Sequence, residues 1–122
     1  MRSEIEIMLD RIANWQRFYR QVQRIHAVPW YTPPILGEVH EQEIVIKIAP
    51  DMRDAILLEK AWRNMDCEPK KWFIKYEYIS KLPHQVIWRK IRKLGDRIKN
   101  QDEHMIYTRS ALEYFKRNID NA

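Results

Sequence analysis

Glycine is almost absent from this chain: Gly37 and Gly95 are the only two in 122 residues. Two isolated glycines cannot build a phosphate-cradling loop of the P-loop or dinucleotide-binding kind, which needs several residues free to adopt positive φ. Cysteine is scarcer still. Cys67 on its own excludes an internal disulfide and fits a reducing cytoplasm. With no second thiol, and no histidine at ligand spacing, it gives no zinc motif, and a buried inert thiol is expected. No apolar run approaches 18 residues, so no membrane span is expected. The opening MRSEIEIMLD places acids where a secretory signal has a basic and then an apolar region, so export is not indicated. The four histidines, His26, His40, His84 and His104, are scattered, and none has a carboxylate at a catalytic spacing. His40-Glu41 lacks the second histidine of a zincin motif. The expectation is a chain that is not an enzyme and uses no metal or nucleotide cofactor.

What the chain does have is local positive charge. Between Lys81 and Lys99 lie Lys81, Arg89, Lys90, Arg92, Lys93, Arg97 and Lys99 against the single acid Asp96, a net of +6. The whole chain carries +5, so the remainder is close to neutral. A concentrated cationic patch on a compact helical module suits phosphate recognition, because each Lys or Arg displaces a condensed counterion. The alternative is an ordinary solvated basic face.

Hydrophobic periodicity predicts an all-α chain in three parts: a helix over 1–25, a proline-containing connector over 26–50 and a helical domain over 51–122. In the first part Ile5, Met8, Leu9, Ile12, Trp15, Phe18 or Tyr19, Val22 and Ile25 share one face, with Ser3 as N-cap. Arg11, Arg17, Arg20 and Arg24 fall opposite, as a solvated face. The connector holds three prolines between His26 and Gly37. Its Trp30 and Tyr31 either pin it to the core or stack a base, and Ile44, Ile46 and Ile48 alternate as a short strand would. Beyond Pro50, Met52, Ala55, Ile56, Leu58 or Glu59, Trp62 and Met65 mark a helix. Pro69 suits a first helical position, and the aromatic stripe Trp72, Phe73, Tyr76 and Tyr78 over 69–79 reads as core.

Leu82-Pro83 opens the next helix, with Val86, Ile87, Ile91 and Leu94 inward and Arg89, Lys90, Arg92 and Lys93 outward. Gly95 is placed to close it, and Asn100-x-x-Glu103 resembles a capping box for a last helix reaching about Asn118. Met105, Thr108, Leu112, Phe115 and Ile119 form its expected inner face. Two helices across a short basic turn describe a helix-turn-helix unit, in which the second helix enters the major groove of double-stranded DNA. Gln101, His104, Met105, Thr108 and Arg109 are then the candidates for base contact. Arg89, Lys90, Arg92, Lys93, Arg97 and Lys99 are the phosphate candidates.

The stretch from Asp54 through Asn118 resembles the small phage antitermination proteins of the Q type, whose core is similar to the helix-turn-helix of sigma-factor region 4. The resemblance rests on Leu58-Glu59-Lys60-Ala61, on Tyr76-x-Tyr78 and on Leu82-x-x-x-Val86-Ile87-x-Arg89-Lys90-Ile91. Thr108, Ala111 and Phe115 match the recognition helix and its tail, and Leu9-x-x-Ile12-x-x-Trp15 the opening. It implies a phage transcription-regulation factor in the cytoplasm of a bacterial host. Such a factor binds DNA near a late promoter, engages RNA polymerase with its sigma factor and makes it pass terminators. Read without the resemblance, the residues leave three alternatives: an adaptor that contacts the transcription machinery without touching DNA, a repressor-like DNA binder, and an RNA-binding module using Trp30 and Tyr31.

Overall fold

The computed structural model describes residues 3–27 and 50–121, and all regular structure among them is helical. The order is α1 (Glu4–Ala27), α2 (Pro50–Arg63), α3 (Glu68–Ile74), a π-helical turn (Lys75–Ile79), α4 (His84–Lys93) and α5 (Gln101–Asp120). The all-α class therefore holds. The connector's Trp30, Tyr31 and the alternating Ile44–Ile48 segment lie outside the described residues. Among the described residues no helix is long and apolar enough to cross a membrane.

Helix α1 starts as its sequence dictates. The Glu6 amide donates to Ser3 Oγ at 3.2 Å, satisfying one of the orphan N–H groups of the first turn. Met8, Ile12, Trp15 and Val22 recur at helical spacing and are buried against α2. The expected stripe is narrower at its start, because Ile5 and Leu9 are exposed. Arg11, expected in solvent, instead closes onto α2 through a 2.7 Å ion pair with Asp54.

Trp15 is the hub. It is fully buried and meets Trp62 at 6.3 Å, Phe115 at 5.6 Å and Tyr19 at 6.1 Å between ring centroids. One indole therefore ties α1 to α2 and α5. Burying an aromatic of this size removes about 200 Å² from water, worth roughly 5 kcal/mol. Its N–H still needs an acceptor, and Glu59 supplies one at 3.3 Å. Glu59 is itself fully buried, and its carboxylate also accepts from Gln23 at 3.1 Å and Arg63 at 2.7 Å. Leu58 and Glu59 are thus both inside, where the sequence pattern offered one or the other.

Cys67 caps α3 with extended backbone, Pro69 sits in the first turn, and the thiol is partly exposed rather than buried. The helix expected over 69–79 changes character at Lys75. One π turn follows, with the Ser80 amide donating to Lys75 O at 2.9 Å and the Leu82 amide to Tyr76 O at 3.0 Å. Lys81 then takes φ +50°, and Pro83 hands the chain to α4. Helix α4 packs on α3 and the π turn, whereas α5 packs on α3 and α2. Its C-terminus closes as a Schellman motif around Gly95 at φ +108°: the Gly95 amide donates to Arg92 O at 3.1 Å and the Asp96 amide to Ile91 O at 3.3 Å. No atom crowds the position a Cβ would take there, so the backbone angle alone favours glycine.

Candidate nucleic-acid interface

Helix α4 is the most strongly amphipathic segment. Ile87 and Ile91 are fully buried while Arg89, Lys90, Arg92 and Lys93 are exposed, as the spacing predicted. Those four, with Val86, line a shallow surface groove of about 460 Å³. Lys90 holds its ammonium 5.4 Å over the Tyr76 ring, a cation–π contact that positions the charge without neutralising it. Lys90, Arg92 and Lys93 also occupy the last turn, where the helix dipole favours cations. Arg97 and Lys99 continue the exposed charge along the connection to α5.

Three acids at this end of the molecule are engaged elsewhere, while Asp102, in the first turn of α5, is exposed. Asp96 accepts from the Tyr107 hydroxyl at 2.7 Å, and burial and Asp96 together hold that phenol far above its usual range. Glu103 accepts from the Lys99 amide at 2.6 Å while its own amide donates to Asn100 Oδ1 at 2.9 Å. This is the expected reciprocal cap, with the glutamate reaching one residue further back than a standard capping box. Glu77 accepts from His104. Uncharged donors thus take three carboxylates, and Arg89, Arg92, Lys93, Arg97 and Lys99 form no ion pair among the described residues.

Helix α5 divides the base-contact candidates. Gln101 and Arg109 are exposed. His104, expected to project outward, is only 3% exposed and cannot meet a base edge. Met105, assigned to the inner face, is instead 66% exposed, and Ile106 beside it 71%. The rest of the expected inner face holds at Leu112, Phe115 and Ile119, with His104 in place of Met105 and Ala111 added. Thr108 is half-buried, and its hydroxyl donates to His104 O at 2.8 Å. Of the eleven residues singled out from sequence, nine are exposed, and His104 and Thr108 are committed to structure.

The reason His104 is buried is a cluster that the sequence did not reveal. His104 Nε2 lies 2.9 Å from Glu77 Oε2, and its Nδ1 accepts from Trp88 Nε1 at 2.9 Å. An indole N–H can only donate, so Nδ1 is bare and the neutral ring carries its proton on Nε2, aimed at Glu77. His84 stacks on His104 with ring centroids 3.9 Å apart and places Nε2 3.6 Å from Glu77 Oε1. Burial holds His104 below the ordinary histidine range, outweighing the pull of Glu77, and His84 adds to the lowering. The histidines therefore do acquire a carboxylate partner, 27 residues from His104 in sequence. No local spacing signals it, because the π turn delivers Glu77.

A second cationic groove, about 500 Å³, lies on α1 between Gln16, Arg17, Arg20, Gln21 and Arg24. Arg17 there is tied to Asp51 at 3.4 Å and to Asn14 at 2.8 Å. No family model matches the chain, and no curated protein or solved structure matches it either.

Proposed function

We propose that this chain is a DNA-binding domain that grips duplex phosphates with α4 and the basic connection to α5, and that it serves as a phage transcription antitermination factor. The observation that carries the reading is the set of exposed cations Arg89, Arg92, Lys93, Arg97 and Lys99, which have no ion-pair partner among the described residues, while the neighbouring Glu77, Asp96 and Glu103 are occupied by neutral donors and Asp102 is exposed. Cations left without partners lose little when they exchange water and counterions for phosphates. Gln101 and Arg109, exposed on the first turns of α5, are the residues available for base contact. The activity is binding rather than catalysis. Engagement of RNA polymerase with its sigma factor belongs to the resemblance, and exposed Ile5, Ile7 and Leu9 on α1 offer an apolar surface for such a contact.

A second reading has one observation in its favour. Met105 and Ile106 present apolar surface at the start of α5, where a groove-entering helix would hold polar side chains. An adaptor of the transcription machinery that does not touch DNA would use that pair for a protein contact.

A labelled-duplex titration at two salt concentrations separates the readings. DNA binding predicts affinity that falls steeply with salt, and Arg109→Ala should cost about 1–3 kcal/mol on the preferred site but much less on random sequence. Salt-insensitive or undetectable binding supports the adaptor. Increased terminator readthrough in a purified transcription reaction on a late-promoter template tests the antitermination role, and unchanged readthrough contradicts it.

A further inference from the structure

We propose that Glu77, His84 and His104 form a site for one divalent transition-metal ion of the zinc class. The inference is independent of the DNA reading. One ligand atom from each residue lies within 4.8 Å of the other two. Two imidazole nitrogens and a carboxylate oxygen form a donor set that zinc accepts, with a fourth position left for water. Three elements converge to present it: the π turn brings Glu77, the first residue of α4 is His84, and the first turns of α5 carry His104. Single π turns concentrate at functional sites, and this one shifts the backbone register between α3 and α4.

A second observation is electrostatic. His84 Nδ1 sits 3.0 Å from Gln101 Oε1, an acceptor, so the ring hydrogen belongs on Nδ1. The Nε2 lone pair of the neutral ring then faces Glu77 Oε1 at 3.6 Å. A lone pair opposed to a carboxylate is disfavoured unless a proton, a bridging water or a metal ion joins them, and with His104 as a third donor the arrangement suits a metal ion. The Gln101 contact is also what a metal-bound imidazole needs, since ligating histidines donate their second N–H to an outer acceptor.

His104 makes binding conditional. A metal on Nε2 displaces the hydrogen now directed at Glu77, and the ring must then carry its hydrogen on Nδ1, where Trp88 Nε1 already donates at 2.9 Å. Two donors cannot face each other, so half-buried Trp88 has to turn as the ion enters, and the stacked His84 and His104 rings, 18° from parallel, have to splay to aim both Nε2 lone pairs at it. Metal binding is therefore opposed by Trp88 and coupled through it to α4, and Trp88→Phe should bind the ion more tightly than the unaltered chain.

The test titrates the full chain, stripped of metal by a chelator and dialysed, with zinc chloride and separately with cobalt chloride, read by calorimetry and visible absorption. The expected result is one equivalent bound, with affinity reduced about ten-fold or more in Glu77→Gln and in His84→Gln. Both side chains are partly exposed, and an unchanged helical circular-dichroism signal confirms that each variant is folded. Absence of a one-equivalent site at micromolar metal overturns the proposal. Binding that survives both substitutions overturns it equally, and places the ion on His26, His40 or another part of the chain.

Discussion

The α1–α2 pair and the α4–α5 end of this molecule treat charge in opposite ways. In this pair cations meet anions: Arg11 and Arg17 of α1 pair with Asp54 and Asp51 of α2, and within α2 Arg63 pairs with the buried Glu59. At the α4–α5 end, Asp96, Glu103 and Glu77 go to a phenol, a backbone amide and an imidazole, and the neighbouring cations stay exposed. Counting charges along the chain marks 81–99 as basic but does not say which cations are left without a partner. The difference lies in which donors the fold brings to each carboxylate. The α1–α2 seam uses Arg11 and Arg63 to close a core, with Arg20 and Arg24 left on the outer face of α1, whereas the basic cluster of α4 and its connection to α5 stays available to an external anion.

That contrast breaks most visibly if the closed half is not the source of stability. Trp15→Ala removes the ring joining α1, α2 and α5 and should destabilise the fold by about 3–5 kcal/mol in chemical denaturation. A loss near that of an exposed residue would mean the hub carries no such weight. Next in size is Glu59→Ala, which strands the Trp15 and Gln23 donors and the Arg63 charge, at a cost of about 3 kcal/mol. Truncating Arg63 leaves the fully buried Glu59 without its cation, so it should cost a comparable amount although the Arg63 side chain itself is 42% exposed.

A smaller effect sharpens the comparison from the other side. His104 is held neutral by burial, so below the ordinary histidine range the unfolded chain binds a proton that the folded chain refuses. Stability contributed by the neutral ring is complete above that range and declines as pH falls through it. In metal-free protein the urea midpoint should therefore drop between neutral pH and mildly acidic pH. The drop should shrink in His104→Phe, and an equal drop in that variant would assign the dependence to another group.

The sequence carried the helical class and most of the α4 geometry, because Ile87 and Ile91 at i, i+4 against a basic face leave one arrangement that buries the apolar side. It carried Gly95 and Asn100 as helix punctuation for equally local reasons. It misplaced His104 and Met105 by one position on α5. A histidine looks polar in a pattern, yet here Trp88 and Glu77 satisfy both ring nitrogens and make burial favourable. The Arg11–Asp54 pair, 43 residues apart, and the delivery of Glu77 by a π turn depend on tertiary approach that no periodicity records.

The central claim is that the open charges of α4 serve an external polyanion and contribute nothing essential to the fold. It is tested most directly by replacing Arg89, Lys90, Arg92 and Lys93 together with Gln and measuring duplex affinity against salt concentration beside the thermal midpoint. The account predicts weaker binding, a log–log salt slope reduced by about 0.9 for each lost phosphate contact, and nearly unchanged stability. An unaltered slope, or a collapse of the fold in place of the binding loss, would contradict it.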